Sequence, residues 1–170
     1  MTRRKNRGFS LLEVLVAVLI FSVGLMGMAG LLMVSVRTNH SSYLRSQAGF
    51  LAQSMADRMR VNMPALWADS YNLAYPVSGT APACTTGCTV TDIVTRDSVL
   101  WSNSMTQLLP APTATIRCAL NAGAVAPPPA QIMNRAPYNG LCTITMRWAE
   151  SSLNSGAGAN FQTFAWVFQP

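Results

Sequence analysis

The sequence predicts an α+β protein: a long N-terminal helix, its first half crossing a membrane, packed on a small antiparallel β-sheet domain with a second, shorter helix. Three observations predict it. Val14 to Val34 is a 21-residue run whose one polar side chain is Ser22. Beyond it, Leu44, Ala48, Leu51, Met55 and Met59 recur at steps of four, three, four and four, one face of a continuing helix. Near the C-terminus, three segments alternate apolar and polar residues with period two, as strands with one covered face do. At 170 residues the chain has room for one anchor helix and one modest domain.

The anchor comes first. At about 1.5 Å rise per residue, the apolar run is long enough to cross a hydrocarbon core of roughly 30 Å. Arg3, Arg4, Lys5 and Arg7 precede it and no cation lies inside it. The positive-inside rule therefore leaves the N-terminus in the cytoplasm and the remainder outside. Glu13 is the odd residue, because a carboxylate this far into an apolar run is costly and such groups are usually functional and paired. The next arginine along the chain, Arg37, is some six turns away. Either the carboxyl is neutral or its partner comes from elsewhere. A cut between Gly8 and Phe9 would create an α-ammonium one turn before Glu13. The same ammonium on a neighbouring subunit could meet Glu13 across a helix–helix contact, which supplies both a partner and a reason to assemble.

Gly8-Phe9-Ser10-Leu11-Leu12-Glu13-Val14-Leu15, behind a basic leader and ahead of an apolar helix, resembles the class III leader of type IV pilins and pseudopilins. The resemblance covers about the first 35 residues. It implies a pilin-like fold, with a cleaved leader at 1–8, a transmembrane half-spine at 9–36, an amphipathic half-spine at 37–63 and an exported domain at 64–170. It further implies cleavage after Gly8 by a prepilin peptidase that also N-methylates Phe9, and pairing of Glu13 with a neighbour's N-terminus during assembly. The partners it implies are that peptidase/N-methyltransferase, other minor pilins, the major pilin and an inner-membrane assembly platform. The stretch Ala52-Gln-Ser-Met-Ala-Asp-Arg-Met-Arg-Val-Asn62 is similar to the PilV-type minor pilins. The expectation is a minor pilin of a type IV pilus, held first in the inner membrane with its domain in the periplasm and then in the pilus. The alternatives are a type II secretion pseudopilin and a tethered periplasmic binding or adhesin domain that never polymerises.

Two plainer readings of the N-terminus compete. Gly27-Met28-Ala29 is a passable small-x-small signal-peptidase site behind a basic region. Against it, Glu13 would sit in the apolar core of the signal and helical patterning runs well past Ala29. The other is an unprocessed signal anchor in which Glu13 is an accident.

Charge excludes one class. The formal +6 looks like a nucleic-acid signal, but the leader supplies four of those charges, and from Phe9 onward eight Arg face six acids. These Arg are scattered, so no basic stripe for phosphates remains. All four cysteines, Cys84, Cys88, Cys118 and Cys142, lie beyond the anchor, where an oxidising compartment favours disulfides over thiol chemistry or metal.

The remaining elements follow in order. One spine helix is expected from about Phe9 to Met63, with Arg45, Gln53, Asp57 and Arg60 off its apolar stripe and Pro64 ending the pattern. Gly24, Gly27 and Gly30 fit close helix packing in lipid; they also fit a soft spot, since each Gly costs up to about 1 kcal/mol relative to Ala. Pilin relatives can lose helix here on entering a fibre. Pro64 to Cys88 reads as loop or a short strand around Trp67, Tyr71, Leu73 and Tyr75. Cys84-Thr-Thr-Gly-Cys88 is most simply a small disulfide loop, with no neighbouring His or Lys to activate a thiol.

Thr89-Val-Thr-Asp92 is a capping-box-like start for a helix over about Val90–Leu109, with Ile93, Val94, Leu100, Trp101, Met105 and Leu108 at helical spacing. Strands are expected over Thr113–Ala119, Leu141–Trp148 and Phe161–Phe168. Cys118 and Cys142 fall on the apolar faces of consecutive strands. Four cysteines allow three connectivities, of which Cys84–Cys88 with Cys118–Cys142 is favoured. Gly123 to Pro137 and Ser151 to Asn160 read as loops, the variable surface where contacts would sit.

No catalytic constellation emerges. His40 is the only histidine, Asp57 is flanked by arginines, and there is no nucleophile elbow, phosphate loop or HExxH. No metal and no cofactor is expected. The chain reads as the substrate of an enzyme rather than as one.

Overall fold

A computed structural model describes residues 8–150 and 160–170. The leader cations and residues 151–159 of the second expected loop lie outside the described residues. The chain divides into two units, up to Ser42 and from Tyr43, each taken here by itself.

Helix α1 spans Leu11–Val61. In the first unit every residue from Gly8 to His40 is exposed, including Leu12, Leu15, Phe21 and Leu32. A helix apolar on all sides with nothing covering it suits lipid rather than water. It is the one described helix long and apolar enough to cross a membrane. Two of its hydroxyls bond back to the helix: Ser22 Oγ donates to Leu19 O at 2.8 Å and Thr38 Oγ1 to Val34 O at 3.0 Å.

In the second unit the helix becomes one-sided. Leu44, Ala48, Leu51, Met55 and Met59 are buried as their spacing requires, and Ala52 and Ala56 widen the stripe. Arg45, Gln53 and Asp57 are exposed. The helix stops two residues short of the expected end, because Asn62 leaves helical geometry (φ −111°, ψ 59°). Pro64 then helps to open a new one-turn helix, α2 (Met63–Trp67), rather than closing the first. In a first turn its missing N–H removes a donor that has no intrahelical acceptor anyway.

Helix α3 spans Val90–Leu108 and is capped as its sequence predicts: Asp92 N–H donates to Thr89 Oγ1 and Thr89 N–H to Asp92 Oδ2, each at 3.1 Å. Val94, Trp101 and Met105 are buried; Leu108 is exposed, and its neighbour Leu109 fills the core instead. Trp101 Nε1–H donates to Leu51 O of α1 at 2.9 Å, which fastens the two helices within this unit.

The sheet is an antiparallel meander of β1 (Ala74–Tyr75), β2 (Thr113–Leu120), β3 (Gly140–Glu150) and β4 (Asn160–Phe168), in that spatial order. Ala114, Ile116 and Cys118 of β2, Cys142, Ile144, Met146 and Trp148 of β3, and Phe168 of β4 face the core. Gly140 is required where β3 starts: a Cβ there would lie 2.9 Å from the Leu120 Cα and against the Ala119 carbonyl. The register sets Cys118 opposite Cys142, and the two are joined; Cys84 is joined to Cys88. The expected loop over Gly123–Pro137 contains one helical turn, α4 (Pro129–Met133), launched by consecutive prolines whose fixed φ suits a helix start. The α+β class, with a long N-terminal helix followed by a small antiparallel sheet and shorter helices, is the pilin-like architecture.

Candidate processing and assembly site

Gly8 and Phe9 precede the helix. Phe9 is 84% exposed, and no atom lies within 4 Å of the place a Cβ on Gly8 would occupy. Nothing within the described chain therefore demands a glycine at position 8. The demand, if there is one, comes from a molecule that handles the Gly8–Phe9 peptide bond.

Ser10 starts the helix. Its carbonyl accepts the first helical bond from Val14 N–H at 3.3 Å, and its Oγ accepts from Leu12 N–H at 3.3 Å. That places Glu13 third in the helix, in the first turn. The Ser-x-x-Glu spacing is the sequence signal of such a start, and reading Glu13 only as an intrusion into an apolar run overlooks it. In the first turn a carboxylate lies near free backbone N–H groups and the positive end of the helix dipole, which lowers the cost of carrying it. Glu13 is exposed, and among the described residues no cation forms an ion pair with it. One end of the helix thus offers a glycine free of crowding, an accessible backbone after it, and a carboxylate one turn further on.

Gly24, Gly27 and Gly30 have nothing within 4 Å of a built Cβ. They relieve no crowding within the chain. His40 is exposed on α1, far along the chain from the acidic residue that precedes it.

A second constellation, overlooked in the sequence, lies in the core of the other unit. Asp97 of α3 is buried and accepts from Arg58 Nη1 and from Tyr71 OH, each at 2.9 Å. Asn62 Nδ2 donates to Tyr71 OH at 3.4 Å and to Val90 O at 3.2 Å. Beside them Tyr75 OH meets Ser98 Oγ at 3.3 Å, and Ser102 Oγ accepts from Val77 N–H at 2.9 Å. Burial pushes the Tyr71 and Tyr75 phenols upward, and the Asp97 carboxylate adds to the rise in both. Each member is hydrogen-bonded, so the seam is a polar clasp with no group left poised to react. The signal for it was available: Asp97, Ser98 and Ser102 interrupt the apolar face of α3 at core positions.

All four cysteines are in disulfides, and among the described residues no three His, Cys, Asp or Glu side chains gather where they could hold a metal.

Residues 3–29 match the family model described as the prokaryotic N-terminal methylation motif, the type IV pilin-like leader. Comparison with curated proteins and with solved structures gives no match. The motif implies a structural subunit of the type IV pilin or pseudopilin kind, handled by a prepilin peptidase and the pilus machinery.

Proposed function

We propose that the chain is a minor pilin of a type IV pilus, similar to the PilV type. In this reading residues 1–8 are removed, Phe9 becomes the N-methylated terminus, residues 9–36 hold the protein in the inner membrane, and the domain from Pro64 lies in the periplasm. On extraction into a fibre, the apolar helix exchanges lipid for neighbouring helices. The Phe9 ammonium of one subunit pairs with Glu13 of another and sets the register of the two helices.

The observation that carries this reading is Glu13 in the first helical turn, exposed and with no cationic partner among the described residues, four residues after the Gly8–Phe9 bond. In a low-dielectric surround a charge pair at hydrogen-bond distance is worth far more than in water, and an unpaired carboxylate costs correspondingly more. Pairing in trans therefore couples assembly to correct cleavage. A secretion pseudopilin would use the same leader; the longer exported domain with two disulfides and a strand-rich end favours the pilus.

Glu13→Ala and Glu13→Gln, expressed in the native host, are expected to leave cleavage and methylation intact while removing the protein from sheared surface fibres. Twitching is expected to fall with it. Normal incorporation of either variant would overturn the pairing role. A loss confined to a secreted substrate, with pili and twitching intact, would move the chain to a secretion machine.

A further inference from the structure

The outer face of the sheet is not absorbed by this function. Opposite the core-facing rows, β2 presents Thr113, Thr115, Arg117 and Ala119, β3 presents Leu141, Thr143, Thr145, Arg147 and Ala149, and β4 presents Phe161, Thr163, Ala165 and Val167. All of these are exposed or half-exposed. The register aligns Thr115, Thr145 and Ala165 in one row across the strands and Thr113, Arg147 and Thr163 in another. Threonines thus fill the middle of the face, between Arg117 and Arg147, and the exposed Leu141 and Val167 border the Arg117 end.

Its charge is one-sided. Arg147 lies over the Phe161 ring at 4.1 Å from the centroid, and Arg117 Nη1 donates to Asn72 O at 3.2 Å. Each guanidinium is held in place yet keeps further N–H donors free. The two ion pairs among the described residues, Arg58–Asp97 and Arg60–Asp57, lie elsewhere. Among the described strand residues no carboxylate shares the face: Glu150 is on the opposite side of β3 and accepts from the Trp148 indole at 3.4 Å. Thr143, the partner of Arg117, is four positions from Arg147, so the two arginines are rooted about 14 Å apart along the sheet at roughly 3.4 Å per residue.

We infer that this face docks an acidic polysaccharide, a chain of hydroxylated rings that bear carboxylates. Fixed guanidinium groups take carboxylates in paired hydrogen bonds. The threonine rows between them offer donors and acceptors to ring hydroxyls, and Phe161 provides an apolar edge. Nucleic acid fits less well. The one exposed aromatic ring on the face is already covered by Arg147, so it is not open for a base to stack on. The inference does not depend on polymerisation, since it concerns the domain alone.

The test uses the full chain in detergent micelles over immobilised polygalacturonate, with dextran as the neutral polymer and single-stranded DNA as the phosphate polymer. Binding to polygalacturonate that weakens with salt, with none to dextran, is expected. The double variant Arg117→Gln/Arg147→Gln should lose at least tenfold in affinity. Thr145→Asp, which keeps both arginines and adds a carboxylate between them, should lose as much with an unchanged melting curve. Arg45→Gln, on α1, should bind as the unaltered chain does. Absence of polygalacturonate binding, equal binding by the double variant, or tighter binding to DNA would each overturn the inference.

Discussion

Asp97 shows how one buried carboxylate organises its surroundings. It accepts from Arg58 and Tyr71, and Tyr71 in turn accepts from Asn62 at the break between α1 and α2. Removing either donor leaves one oxygen of a buried carboxylate without its partner. Arg58→Ala and Tyr71→Phe are each expected to cost about 1–3 kcal/mol, read from chemical denaturation. The raised phenols set an alkaline limit. A group whose folded pKa is above its unfolded value contributes stability that is present below the unfolded value and declines above it. With Tyr71, Tyr75 and Tyr138 all raised from 10.0, the melting temperature should fall as pH rises past 10. Tyr71→Phe should flatten that decline although it lowers stability at neutral pH. Asp92 has the opposite sign: its bonds from the Thr89 hydroxyl and backbone lower its pKa, so its contribution is lost as pH falls below the ordinary carboxylate value of 3.8.

At the scale of elements, the two disulfides should differ in weight. Cys118–Cys142 spans 24 residues and Cys84–Cys88 only four. Loop-closure entropy assigns the longer about 3.5 kcal/mol and the shorter about 2 kcal/mol. Replacing each pair with serine and comparing denaturation midpoints tests this; equal losses would contradict it. The glycines of α1 allow a second comparison. With open space around each built Cβ, Gly24→Ala, Gly27→Ala and Gly30→Ala together should raise helicity in detergent, by up to about 1 kcal/mol per site. If close contact or local melting in a fibre needs them, the same variant should enter fibres poorly. Equal incorporation would leave both roles without support.

Elements with a strong period were legible in the sequence, and those held by distant bonds were not. The α1 stripe, the Thr89–Asp92 box and the alternation of β2, β3 and β4 all depend on near neighbours, so spacing reveals them. The stretch from Pro64 to Cys88 takes its shape from remote partners. Asn72 Oδ1 accepts from Cys118 N–H at 2.7 Å, Arg96 Nη1 reaches Pro82 O at 2.6 Å, and Trp67 Nε1 reaches Ala136 O at 3.1 Å. No local pattern encodes such contacts. At the N-terminus, Gly8, Phe9 and Glu13 stood out in the sequence, while the capping role of Ser10, which makes Glu13 a first-turn residue, emerged from the backbone bonds.

For the whole molecule, sequence and structure describe a chain with two solvents. Gly8 to His40 exposes an apolar helix, whereas the unit from Tyr43 closes a core around α1, α3 and the sheet. A protein of this kind needs somewhere to put the helix, first in lipid and, in the proposed function, then among other helices. Everything in that account rests on where the mature chain begins. The deciding measurement is the N-terminal peptide and intact mass of the protein isolated from its native membranes. The account predicts a chain that starts at N-methylated Phe9. A terminus at Met1, or at Gly30 after removal of a secretory signal, would contradict it.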